Sequence, residues 1–167
     1  MLKKILSLIL AVMIVAVSAG AAAEKESCYL LPTGTASADP YKSDSFTFEC
    51  DADDPESRAD YMNVNKFYIE STSVGKIKVV LKVTTQETML ELGFSRLVIQ
   101  YWNGSSWAKY WDITDQYSYG TTLFNYNHTD YSATSGEYYR VKAYLVAQKT
   151  SISVELKTVT SSYITCM

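Results

Sequence analysis

Trp102, Trp107 and Trp111, followed closely by Tyr117 and Tyr119, are the residues whose type and spacing point most directly to chemistry. Sugar rings have apolar faces that stack on aromatic side chains, and a row of such rings on a rigid sheet binds them with little ordering cost. These five residues form a candidate glycan-binding surface. Cross-strand tryptophan pairs also stabilise hairpins, by roughly 0.2 to 1 kcal/mol each relative to alanine. Exposure of the rings therefore separates binding from packing.

Groups for catalysis are sparse. The one histidine, His128, lies in the polar stretch Asn127-His-Thr-Asp130 with no nucleophile beside it in sequence. A Ser-His-Asp or Cys-His arrangement would have to be assembled from distant loops. Asp112 and Asp115 could work as an acid and base pair in glycoside cleavage, but they read more simply as a strand end and a turn. No catalytic residue is assigned, and the chain reads as non-enzymatic.

Asp51, Asp53 and Asp54, with Glu56 and Asp60 nearby, could supply oxygen ligands to calcium. An EF-hand is excluded, because its sixth position would be Glu56 where glycine is needed and its twelfth Met62 where glutamate is needed. A looser calcium site is the one cofactor the composition offers, against the simpler reading of a solvated acidic loop.

The elements that position these residues begin after a leader. Lys3 and Lys4 precede an apolar run from Ile5 to Val17 and the small residues Ser18-Ala-Gly-Ala-Ala-Ala23. A run of about a dozen apolar residues is short of the ~20 that cross a bilayer, and small residues follow it in place of a basic flank. Residues 1–23 are read as a secretory signal peptide cleaved after Ala21 or Ala23, which makes the mature protein extracellular. Cleavage removes Lys3 and Lys4 and takes the formal charge from −3 to about −5. An acidic chain with no basic cluster among aromatics argues against nucleic acid as a partner. Once the leader is gone, no membrane association is expected.

Export also bears on Cys28, Cys50 and Cys166. Outside the cytoplasm two of the three can be oxidised to a disulfide, leaving one over, and all three pairings remain open. The stretch Lys25-Glu26-Ser27 before Cys28 is charged and polar, unlike a lipid-attachment box.

Residues 24–60 are polar and turn-rich, with one short strand in Ser45-Phe-Thr-Phe-Glu-Cys50. Residues 61–167 form the main domain, an all-β, antiparallel sandwich of about eight strands counting the one at Phe46. Strands are predicted over 64–71, 76–85, 95–102, 107–113, 117–126, 137–147 and 151–160. In the clearest, Ile77, Val79, Leu81 and Val83 share one face and Lys76, Lys78 and Lys82 the other. Glu87 to Leu92 has less β character and reads as one helical turn, with Gly93 free to adopt a left-handed conformation.

Asn103-Gly-Ser-Ser106 signals a hairpin that pairs Trp102 with Trp107, Gln100 with Lys109 and Val98 with Trp111. Leu97, Ile99, Tyr101, Ala108 and Tyr110 then share the face expected to pack on the core. In the later strand, Tyr139, Val141, Ala143 and Leu145 alternate with Tyr138, Arg140, Lys142 and Tyr144.

Gly136-Glu-Tyr-Tyr-Arg-Val-Lys-Ala-Tyr144 resembles the sixth strand of a fibronectin type III or immunoglobulin-like sandwich. That resemblance implies a tyrosine corner at Tyr138 or Tyr139. Thr88-Met-Leu-Glu-Leu-Gly93 with Leu97-Val-Ile-Gln-Tyr-Trp-Asn-Gly-Ser-Ser-Trp107 resembles small exported proteins of uncharacterised families from Gram-positive, clostridia-like bacteria. The resemblance covers about residues 64–160 and implies no activity or catalytic residue. The Cys-Trp-Cys spacing of a true immunoglobulin domain is missing.

The function expected from these features is that of a secreted, non-enzymatic β-sandwich acting by surface interaction with a glycan or a protein. A self-associating structural or matrix protein is the alternative. A small glycan hydrolase, which needs two carboxylates facing each other across a groove, ranks third.

Overall fold

The computed structural model of the protein describes residues 31–49 and 61–167. Residues 1–23, expected to be a signal peptide, lie outside the described residues, as do Cys28, Cys50 and the acidic residues Asp51, Asp53 and Asp54. All regular structure among the described residues is β: β1 (Phe46–Glu49), β2 (Met62–Ser73), β3 (Lys76–Trp102), β4 (Trp107–Ser132), β5 (Tyr138–Thr150), β6 (Ser153–Ser161) and β7 (Ile164–Thr165). They form one antiparallel seven-stranded sheet in the order β1-β6-β5-β3-β2, with β4 also on β3 and β7 on β5.

The long hairpin β3–β4 organises this sheet. One edge of β3 pairs with β4 along most of its length, while the other pairs first with β2 (Lys76 to Thr85) and then with β5 (Glu91 to Tyr101). The hairpin bends where the register jumps from Thr84↔Leu123 to Met89↔Thr121, leaving residues 85–88 without ladder partners on β4. An insertion of this kind bends the strand and increases its twist. Beyond the bend Phe94 meets Phe124 and Tyr126 edge to face, at 5.8 and 5.2 Å between ring centroids. The two halves of the hairpin thus face each other across one core.

That core follows the alternation of the sequence. Ile77, Val79, Leu81 and Val83 are fully buried, as are Val141 and Ala143, with Tyr139 and Leu145 almost so. Burying each aliphatic or aromatic side chain of this size contributes about 1.5 to 3 kcal/mol. In β2 the buried positions move from Met62 and Val64 to Phe67 and Ile69, because a bulge at Asn65 shifts the register between Val64 and Lys66.

The segment from Glu87 to Leu92 is strand, and the expected helical turn is absent. Glu91 and Leu92 have ladder partners on β4 and on β5, and Met89 and Leu92 are fully buried. Ladder bonds on both edges and complete burial override a weak local preference. Gly93 has a different role from the one expected. A Cβ there would lie 2.0 Å from the Gln116 carbonyl oxygen and 2.9 Å from the Tyr117 Cα, so the missing side chain lets β4 approach β3. With this segment extended, the strands predicted over 76–85 and 95–102 merge into β3, and those over 107–113 and 117–126 into β4.

The sheet does not close, but its seam is filled. At one end of the free edge of β2, the Ser43 amide donates to the Ile69 carbonyl (2.8 Å) and the Ser71 amide to the Tyr41 carbonyl (2.7 Å). At the other end, Glu155 Oε2 on β6 accepts the amides of Tyr61 (2.7 Å) and Met62 (3.0 Å). Glu155 Oε1 has no directional hydrogen bond but lies 2.7 Å from Lys157 Nζ, which also donates to the Met62 carbonyl. A side chain that is 1% exposed therefore replaces missing ladder bonds.

Candidate functional site

The hairpin tip forms as its residues dictate. Asn103 Oδ1 accepts the amides of Ser105 (3.0 Å) and Ser106 (2.8 Å), and Gly104 takes a φ of 94°. Trp102 pairs with Trp107 and Gln100 with Lys109, as the sequence predicts. Beyond Lys109 the register shifts: Tyr110 is inserted as a bulge, so Trp111 sits opposite Ile99 and Val98 opposite Asp112. One inserted residue moves Trp111 to the other face of the sheet from Trp107.

The five aromatic residues of the expected row therefore do not share one surface. Trp102 is 5% exposed and packs edge to face on Trp107 with centroids 5.5 Å apart. Trp107 donates its indole N–H to the Thr33 carbonyl and lies under the Arg140 guanidinium, 4.4 Å from its ring. Trp111, 44% exposed, leans on Tyr131 with centroids 5.8 Å apart. Tyr117 and Tyr119 lie further along β4, opposite Gly93 and Glu91, and Tyr119 is 68% exposed.

The polar candidates are occupied by local partners. Asp112 takes two bonds of 2.8 Å from Arg96 and one of 3.2 Å from Lys109. The Arg96 hydrogen bonds hold its carboxyl down at about 2. Asp115 has a φ of 53° within β4. His128 is exposed and packs on Tyr131, 4.3 Å between ring centroids. Burial raises the Tyr131 phenol above its usual range, and a hydrogen bond with Tyr126 adds to the shift. Cys166 is a free, buried thiol beside Ser71 Oγ at 3.8 Å. The other two cysteines of the expected pairings, Cys28 and Cys50, lie outside the described residues. No group of three or more His, Cys, Asp or Glu side chains is placed to hold a metal ion among the described residues.

The structure brings a different set of aromatic residues together. Tyr101 is the last core-facing residue of β3 before the hairpin tip, and it pairs with Tyr139 at the start of β5. Tyr110, the unpaired residue of the bulge, packs edge to face on both, with centroids 5.8 Å from Tyr101 and 5.2 Å from Tyr139. At this end of the sheet the three residues line a cleft of about 870 Å³, in which Tyr101 and Tyr110 reach solvent while Tyr139 is almost fully buried. The hairpin tip at Asn103 and Gly104 forms one rim, and the 134–138 loop forms the other.

That second rim is tied down. The Thr134 amide donates to the Tyr139 phenol (2.9 Å), the Gly136 amide to the Cys166 carbonyl (2.8 Å) and the Cys166 amide to the Glu137 carbonyl (2.9 Å). Gly136 has a φ of 84°, a conformation that favours glycine. Burial pushes the Tyr139 phenol above its usual range. The cleft thus offers aromatic surfaces, an amide, hydroxyls and one carboxylate on a rigid frame. That composition and size suit a small-molecule site at the mouth of a β-structure.

The sequence already placed Tyr101, Tyr110 and Tyr139 on the core-facing side. What it lacked was a sign that this face runs out at the hairpin end and leaves the rings at an opening. No family model matches the chain, and neither a curated protein nor a solved structure matches it.

Proposed function

We propose that this is a secreted, non-enzymatic protein that acts by binding a glycan through the cleft at the hairpin end of the sheet. The observation that carries this reading is the convergence of Tyr101, Tyr110 and Tyr139 on one cleft, with Asn103 and Ser135 at its rims. The Tyr101 and Tyr110 rings supply faces for the apolar side of a sugar, and the exposed Ser135 hydroxyl at the rim supplies a partner for its hydroxyls. A frame held by ladder bonds and loop bonds loses little entropy on binding. The basic, apolar and small-residue pattern of residues 1–23 supports export. The facing halves of the β3–β4 hairpin and the Thr134–Tyr139 bond support a fibronectin type III or immunoglobulin-like sandwich, with the tyrosine corner at Tyr139.

The test is titration of residues 24–167 with a panel of soluble oligosaccharides, followed by tryptophan fluorescence and by chemical-shift changes. Binding by the wild type, lost in Tyr110→Ala while that variant stays folded and a Tyr119→Ala control, outside the cleft, keeps the response, is the expected result. A wild-type protein that binds no member of the panel would overturn the reading.

A further inference from the structure

We infer that the ligand group seated in this cleft is an organic ammonium, a positively charged nitrogen with apolar substituents, as an amino sugar or a quaternary ammonium compound carries. This rests on the reading of the cleft as a binding site and narrows its chemistry.

Two features of the lining point the same way. Tyr101, Tyr110, Tyr138, Tyr139 and Trp102 all border the cleft, and the faces of such rings carry negative electrostatic potential that attracts cations. Among the described lining residues, Glu137 alone carries a formal charge at neutral pH, and that charge is negative. The exposed Glu137 side chain stands at the rim, while its backbone is held by bonds to Thr134 and Cys166.

No lysine or arginine lines the cleft among the described residues, so an acidic sugar, a phosphate or a sulfate would meet a carboxylate and ring faces without a counter-charge. Arg140 does not offset this, because it lies over Trp107 and donates to Gln100 at 2.7 Å. A neutral ring could stack but would leave the carboxylate unused. An ammonium satisfies both the rings and Glu137.

The experiment compares three probes on residues 24–167: choline, a glucosamine oligosaccharide and an N-acetylglucosamine oligosaccharide of the same length. The Trp102 indole resonance and calorimetry serve as readouts. The expected result is that both cationic probes bind, that the neutral oligosaccharide binds about tenfold more weakly or worse, and that Glu137→Gln removes most of the difference. Since Glu137 holds its loop through backbone groups, that variant keeps the fold, which its thermal midpoint checks.

Binding of choline without the amino sugar would support the ammonium inference and count against the glycan reading. Equal binding of the two oligosaccharides with no effect of Glu137→Gln would overturn the inference and leave the glycan reading standing. Absence of binding by all three probes would overturn the inference, while binding of another neutral sugar in the broader panel would still sustain the glycan reading.

Discussion

Trp111 and Tyr131 lie on the same strand, β4, yet their rings pack against each other with centroids 5.8 Å apart. The Trp111 indole nitrogen lies 3.4 Å from the Ser132 carbonyl oxygen, toward which it donates. An unbent strand would hold these residues tens of ångströms apart, since each residue rises about 3.4 Å. Their contact is thus a direct measure of how sharply the hairpin folds.

A double-mutant cycle on Trp111→Ala and Tyr131→Phe or Ala tests that closure. The Trp111/Tyr131 alanine pair should show a coupling of about 0.5 to 1.5 kcal/mol in urea unfolding. Additive effects would show that the two ends of β4 fold independently of this contact.

Gly93→Ala should destabilise the protein by about 3 kcal/mol, at the upper end for overpacking, because the clash is with backbone and no side chain can rotate away. Chemical denaturation measures it. An unchanged midpoint would mean that β3 and β4 do not approach as closely as described.

Glu155→Ala removes the acceptor for the Tyr61 and Met62 amides and the counter-ion of Lys157. The expected loss is about 3 kcal/mol, with faster amide exchange at residues 61 and 62 than elsewhere in β2. Uniform exchange along β2 would remove Glu155 as the fastener of this seam.

Asp112 sets an acid limb of stability. Its carboxyl is held from an ordinary 3.8 down to about 2, first by the Arg96 hydrogen bonds. The folded state therefore binds this proton less readily than the unfolded state. The stability it contributes is present above pH 3.8 and is lost as the pH falls toward 2. In Asp112→Asn the fall in unfolding midpoint over that window should be shallower than in the wild type. Identical slopes in the two proteins would refute the assignment.

Local patterning accounts for much of this architecture. The alternation from Ile77 to Val83 and from Tyr139 to Leu145 names core positions that are all buried, and Asn103-Gly104 marks the turn that pairs Trp102 with Trp107. Period-two alternation and turn chemistry act over a few residues, so they can be read from order alone. Glu87 to Leu92 is less legible. Its backbone conformation is set by pairing partners on β4 and β5 that are distant in sequence.

For the candidate site the division is sharper. The sequence by itself determined that aromatic residues would concentrate around the 102–107 hairpin. Only the tertiary structure decided which rings meet, because one inserted residue at Tyr110 turns Trp111 onto the opposite face from Trp107, while Tyr110 keeps its expected face and meets Tyr101 and Tyr139. A bulge is selected by the fit between two whole strands, and residues 109–111 bear no local mark of it.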